Sequence, residues 1–94
     1  MKHCILAKFK PEVAEKQTLY ERIRAMFSEA KQISGIHGVE VYTNCIDRSN
    51  RYDVMIVLDM DREALATWDD SALHHSWKET FGELLEKKAI FDHE

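Results

Sequence analysis

Two histidines stand where an apolar pattern calls for a hydrophobe: His3 at the start of the alternating run Lys2 to Lys10, and His74 between Trp68 and Trp77. Imidazole, with an ordinary pKa of ~6.5, takes or gives a proton near neutrality, so a neutral His74 could abstract a proton from carbon next to a carbonyl. His3 and Asp92 could orient that ring or hold a substrate oxygen if all three line one cavity. The oxyanion donor that such a step needs is not visible in the sequence. Each residue also has a structural reading. His74 can sit half-buried on a backbone carbonyl, His3 can bond a terminal backbone group, and Asp92 can be a solvated or ion-paired carboxylate.

The elements that must position these groups follow from periodicity. His3, Ile5, Ala7 and Phe9 alternate with Cys4, Leu6, Lys8 and Lys10 in a first strand, which Pro11 ends because it cannot donate to a ladder. From about Ala14 to Ser34, Leu19, Ile23, Met26, Phe27, Ala30 and Ile33 recur at spacings of three and four, the stripe of an amphipathic helix, with Gly35 as its stop. Val39, Val41, Thr43 and Cys45 alternate in a second strand; Asp47 to Asn50 form a hairpin turn; Tyr52, Val54, Ile56, Leu58 and Met60 form a third strand. Asp61 is placed to cap a short helix carrying Ala64, Leu65 and Trp68. Ser71 then caps a second helical piece with His74, Trp77, Phe81 and Leu85 on one side. The last strand, Lys88 to His93, puts Ile90 and Asp92 on one face and Ala89, Phe91 and His93 on the other.

Composition narrows the function classes. The 94 residues are 45% hydrophobic and 32% charged, with a formal net charge of −4, so a folded domain is expected and a disordered chain is excluded. Charges of both signs are interspersed, with no basic stripe to neutralise phosphates, which argues against nucleic acid and anionic membrane surfaces. No apolar run reaches the ~20 residues of a transmembrane helix, and the N-terminus does not read as a signal peptide, so the expected location is cytoplasmic. Cys4 and Cys45 lack metal-site or redox spacing and are expected to be small core residues. Adjacent Asp69 and Asp70 fall short of a calcium ligand set, and His75 faces away from His74, so neither a metal nor another cofactor is expected. His37 reads as a solvated loop residue between Gly35 and Gly38.

The order βαββαβ specifies an α+β, ferredoxin-like fold: a four-stranded antiparallel sheet with both helical segments on one face. The other face would then collect Cys4, Leu6, Tyr42, Met55, Val57 and Phe91. At ~25 cal/mol per Å², exposing a few hundred Å² of apolar area is a substantial penalty, so a homodimer through the open sheet face is expected.

The run Lys2 to Pro11, Tyr52-Asp53, Arg62-Glu63-Ala64-Leu65, His74 and the ending Ile90-Phe91-Asp92 together resemble the stress-responsive dimeric α/β-barrel (Dabb) family. The resemblance covers residues 1–94 as one domain and rests on the order and spacing of these segments. It implies a dimeric α/β barrel with a small apolar cavity between each subunit's sheet and helices. Members include plant stress proteins and a polyketide cyclase, so the family sets architecture more firmly than chemistry. His3 matches the family's first-strand histidine, and His74 the second histidine of its Tyr-x-x-His-Pro-x-His segment. Here that segment reads Trp68-Asp69-Asp70-Ser71-Ala72-Leu73-His74. An indole cannot exchange a proton near neutrality as a phenol can, so cyclase activity does not carry over.

The implied cavity would be walled by Ile5, Ala7, Ile23, Met26, Phe27, Val39, Ile56, Trp68, Trp77, Phe81, Ile90 and Asp92, with His74 and His3 as candidate catalytic groups. Three function classes follow. The first is a dimer binding a small apolar organic molecule without chemistry. The second is an isomerase, lyase or cyclase-like enzyme using His74 as acid/base with His3 in support. The third, ranked last, is a haem-handling or monooxygenase role, since only His74 offers an axial ligand.

Overall fold

A computed structural model describes residues 1–94. Alternation along the first and third strands builds the centre of the sheet: β1 (Lys2–Phe9) pairs antiparallel with β3 (Val54–Met60), Ile5 facing Ile56 and His3 facing Leu58. β2 (Ile36–Thr43) flanks β3, and β4 (Leu85–His93) flanks β1, giving the strand order β2-β3-β1-β4. The helices α1 (Lys16–Phe27), α2 (Leu65–Asp70) and α3 (Ala72–Phe81) complete a ferredoxin-like α+β fold.

One face of β1 and β3 carries the core. Ile5, Ala7, Phe9, Val54, Ile56, Leu58 and Met60 are all buried beneath Leu19, Ile23 and Phe27 of α1, Trp68 of α2, and Trp77 and Phe81 of α3. Phe27 meets the Trp77 ring edge-on at 5.4 Å and the Trp68 ring at 5.8 Å, an aromatic joint between the two helical segments. No helix is long and apolar enough to cross a membrane.

Local structure departs from the sequence expectations at several element ends. The long helix stops at Phe27, where the Ser28 hydroxyl donates to the Ala25 carbonyl, and Ala30 packs into the core from a separate 3₁₀ turn, Ala30–Gln32. Gly35 is therefore not a helix stop. Its φ of +88° swings the chain into β2, and a Cβ there would lie 2.6 Å from the Ala64 Cβ, so both backbone and space require glycine. His37 is not a loop residue but lies in β2, at the register shift between Ile36 and Gly38, exposed and bonded to Asp61 at 2.9 Å. That bond explains why Asp61 fails as a cap: its carboxylate is turned to His37, and the chain enters α2 through the 3₁₀ turn Arg62–Ala64. Tyr52 precedes β3, and Leu85 belongs to β4 rather than α3, because the helix ends at Phe81 in another 3₁₀ turn. Cys4 is buried as expected, but Cys45 is exposed in the β2–β3 loop, beyond the end of β2.

Candidate functional site

Two helical segments cannot roof four strands evenly, and the gap falls over β4. Along β4 only Leu85 and Ala89 are partly covered, and Ile90, turned to the helix side opposite Ile5, remains 49% exposed. The gap is a cleft of about 330 Å³ between β1 and β4 on one side and α2 and α3 on the other.

His3 enters from β1. Antiparallel register sets Asp92 of β4 directly across from it, and their side chains bond at 2.5 Å, His3 Nδ1 to Asp92 Oδ1. A carboxylate only accepts, so Nδ1 carries a proton, and in the neutral ring Nε2 keeps its lone pair. The His3 side chain is 6% exposed and that of Asp92 39%, so the carboxylate forms the outer side of the pair.

His74 enters from the first turn of α3, which starts at a formed cap: the Ser71 Oγ accepts the His74 backbone N–H at 3.1 Å and donates to the Trp68 carbonyl at 2.7 Å. The half-buried imidazole packs at 5.0 Å from the Trp68 ring and donates Nδ1–H to the Asp69 carbonyl at 2.9 Å. In the neutral ring its Nε2 is thus also an acceptor. Neither Nε2 has a protein partner, and no buried polar side-chain atom lacks one, so neither nitrogen is fully sealed.

Of the residues expected from sequence, His3, His74, Ile5, Trp68, Trp77, Ile90 and Asp92 share the cleft wall. Ala7, Ile23, Phe27, Ile56 and Phe81 do not: they are fully enclosed, because aromatic packing fills the space beneath α1. Met26 and Val39 also stand away from the cleft, partly buried at the margin of the core. Sequence reasoning missed Leu65, Asp69 and Lys88 on the wall. Lys88 carried a signal, since alternation puts it on the side of Ile90 and Asp92. Asp69 carried none, because the atom that holds His74 is its backbone carbonyl. No group of three or more His, Cys, Asp or Glu side chains could hold a metal ion.

The opposite sheet face is a shallow apolar trough of about 690 Å³ lined by residues that include Cys4, Leu6, Tyr42, Met55, Val57 and Phe91. Burial pushes the Cys4 thiol pKa up, the Asp92 charge adds to this, and Lys2 opposes it.

The profile of the stress responsive A/B barrel domain family matches residues 1–94. None of the curated proteins matches the chain by sequence. Similar solved structures include a dimeric ferredoxin-like protein of unknown function from Thermobifida fusca, at 16% identity and a TM-score of 0.79, with 96% of this chain and 85% of that one covered. A Dabb family protein from Mesorhizobium loti is 18% identical, with a TM-score of 0.66 over 99% and 93% of the two chains. The hydroxynitrile lyase from Passiflora edulis is 14% identical, with a TM-score of 0.74 over 98% and 89%. At these identities the likeness is one of fold.

Proposed function

The chain belongs to the stress responsive A/B barrel (Dabb) family, and from that premise we propose that it works as a homodimer holding a small, largely apolar organic molecule in the cleft of each subunit. The observation that carries this reading is the meeting of His3 and His74 on one cleft wall, each with its Nδ1 proton engaged and its Nε2 unpartnered. Ile5, Leu65, Trp68, Trp77 and Ile90 supply apolar wall, and the imidazoles supply acceptors that would orient a hydroxyl or amide group. The volume is at the small end of the range for ligand sites, which suits a ligand of one ring or a short chain. Dimerisation through the open sheet face is supported by its apolar trough and by the dimeric protein of the same fold.

Titration with small aromatic alcohols, followed by proton–nitrogen NMR, tests the reading. The expected result is saturable shifts of the His3 and His74 ring signals and of the Trp68 and Trp77 indoles. Shifts confined to residues of the open face, or none at all, would refute it.

A second reading is an isomerase or lyase in which an imidazole moves a proton, with His74 as the acid/base group expected from sequence. Its support is the engagement of Nδ1 in both rings, which in the neutral imidazole leaves Nε2 as the basic nitrogen. A hydroxynitrile lyase shares the fold, though at 14% identity it lends no residue roles.

A further inference from the structure

Resting on the reading that the cleft between sheet and helices is the working site, we propose that its proton acceptor is His3, held by Asp92, with Lys88 receiving the charge that develops on the substrate. The two imidazoles differ in what stands behind them. His3 sits on an inner strand, and its Nδ1–H points to a full carboxylate charge at 2.5 Å that the β1–β4 register places opposite it. When Nε2 takes a proton, the positive ring has a counter-charge already in place. His74 has only the Asp69 carbonyl dipole at 2.9 Å, and it sits in the first turn of α3, where the helix dipole makes a further positive charge unfavourable. Its position against Trp68 suits it to bind and orient.

Lys88 fills the role for which the sequence offered no donor. It is the one Lys or Arg on the cleft wall, and none of the six ion pairs in the molecule engages it. The substrate class is a small apolar compound with an acidic C–H next to a carbonyl. His3 Nε2 takes the proton, the C–H pair becomes the C=C bond of an enolate, and the carbonyl π pair moves to the oxygen, against the Lys88 ammonium. Return of the proton to another carbon gives an isomer. Loss of a leaving group from the adjacent carbon gives an elimination product.

The probe is 5-nitrobenzisoxazole, which needs only a base: its C3 proton goes to the base, the C–H pair completes a nitrile, and the N–O bond breaks to leave a coloured phenolate. The purified protein is expected to convert it faster than free imidazole at equal concentration. H3A should lower kcat by roughly 10²-fold, and added imidazole should restore part of the loss. H74A should act mainly on KM, with a loss in kcat at least about tenfold smaller than that of H3A. D92N keeps an acceptor for Nδ1–H but removes the charge, and should lower kcat with KM unchanged; K88M should do the same. Equal or greater kcat loss in H74A than in H3A would overturn the assignment, as would a probe that binds with cleft NMR shifts yet is not turned over. A probe that shifts no cleft signal would refute the binding reading itself, and this inference with it.

Discussion

Ile56 and Val57 are neighbours on β3 that belong to different environments. Ile56 is fully enclosed under the helices, while Val57 is half-buried on the open trough. The same division runs along β1, where Ile5 and Ala7 face the core and Leu6 faces the trough. Both faces are greasy, but only one is closed within the subunit. On the helix side, apolar residues fill the space beneath α1, and the part left open, over β4, is where the polar groups gather: His3, His74, Lys88 and Asp92. On the other side the open surface is mostly apolar, edged by Lys2, Glu40 and His93, with Tyr42 half-exposed and Phe91 64% exposed. A local opening rimmed with hydrogen-bonding groups suits a small molecule, whereas a flat apolar face suits another sheet.

The comparison can be broken or sharpened by experiment. The largest effect is expected from Ile56→Ala, which leaves a cavity in the closed core and should lower unfolding free energy by about 2–5 kcal/mol in a urea titration. A change below about 0.5 kcal/mol would mean that the helix side is loosely packed. Next, Val57→Asp should keep the circular dichroism of the parent but yield monomers or aggregates in sedimentation, with Tyr42→Asp behaving alike. A variant that stays an intact dimer would place the interface elsewhere. The smallest effect distinguishes the two thiols. Cys45, exposed, should react with a disulfide reagent at neutral pH at least about tenfold faster than buried Cys4. Cys4 should lag further because burial and the Asp92 charge hold its thiol protonated to higher pH. The sign follows: the unfolded chain loses this proton first, so the contribution to stability is intact below the ordinary thiol range and is lost as pH rises through the folded-state value.

The sequence was legible where one period dominates. β1, β3 and the faces of β4 could be read from alternation, and the Ser71 cap from a serine ahead of a helical stripe. It was less legible where long-range contacts compete with local preference. The stripe from Leu19 to Ile33 continues past Phe27 because Ala30 is still buried, although the chain there is no longer α-helical. Asp61 has the residue type of a cap, but His37, 24 residues away in sequence, takes its carboxylate. The expected pocket was too broad for a similar reason: periodicity identifies residues that face inward, but cannot tell a filled interior from a hollow one.

The amino-acid sequence by itself determined the order of elements, the two-sided greasiness of the strands and the pair of histidines that break the apolar pattern, since these depend on residue type and spacing alone. Tertiary structure decided that β4 is left uncovered, that register sets Asp92 against His3, and that a backbone carbonyl in α2 holds His74. The physical reason is that helix placement over the sheet and strand register are set by packing among residues far apart in the chain, and a backbone carbonyl carries no side-chain signature.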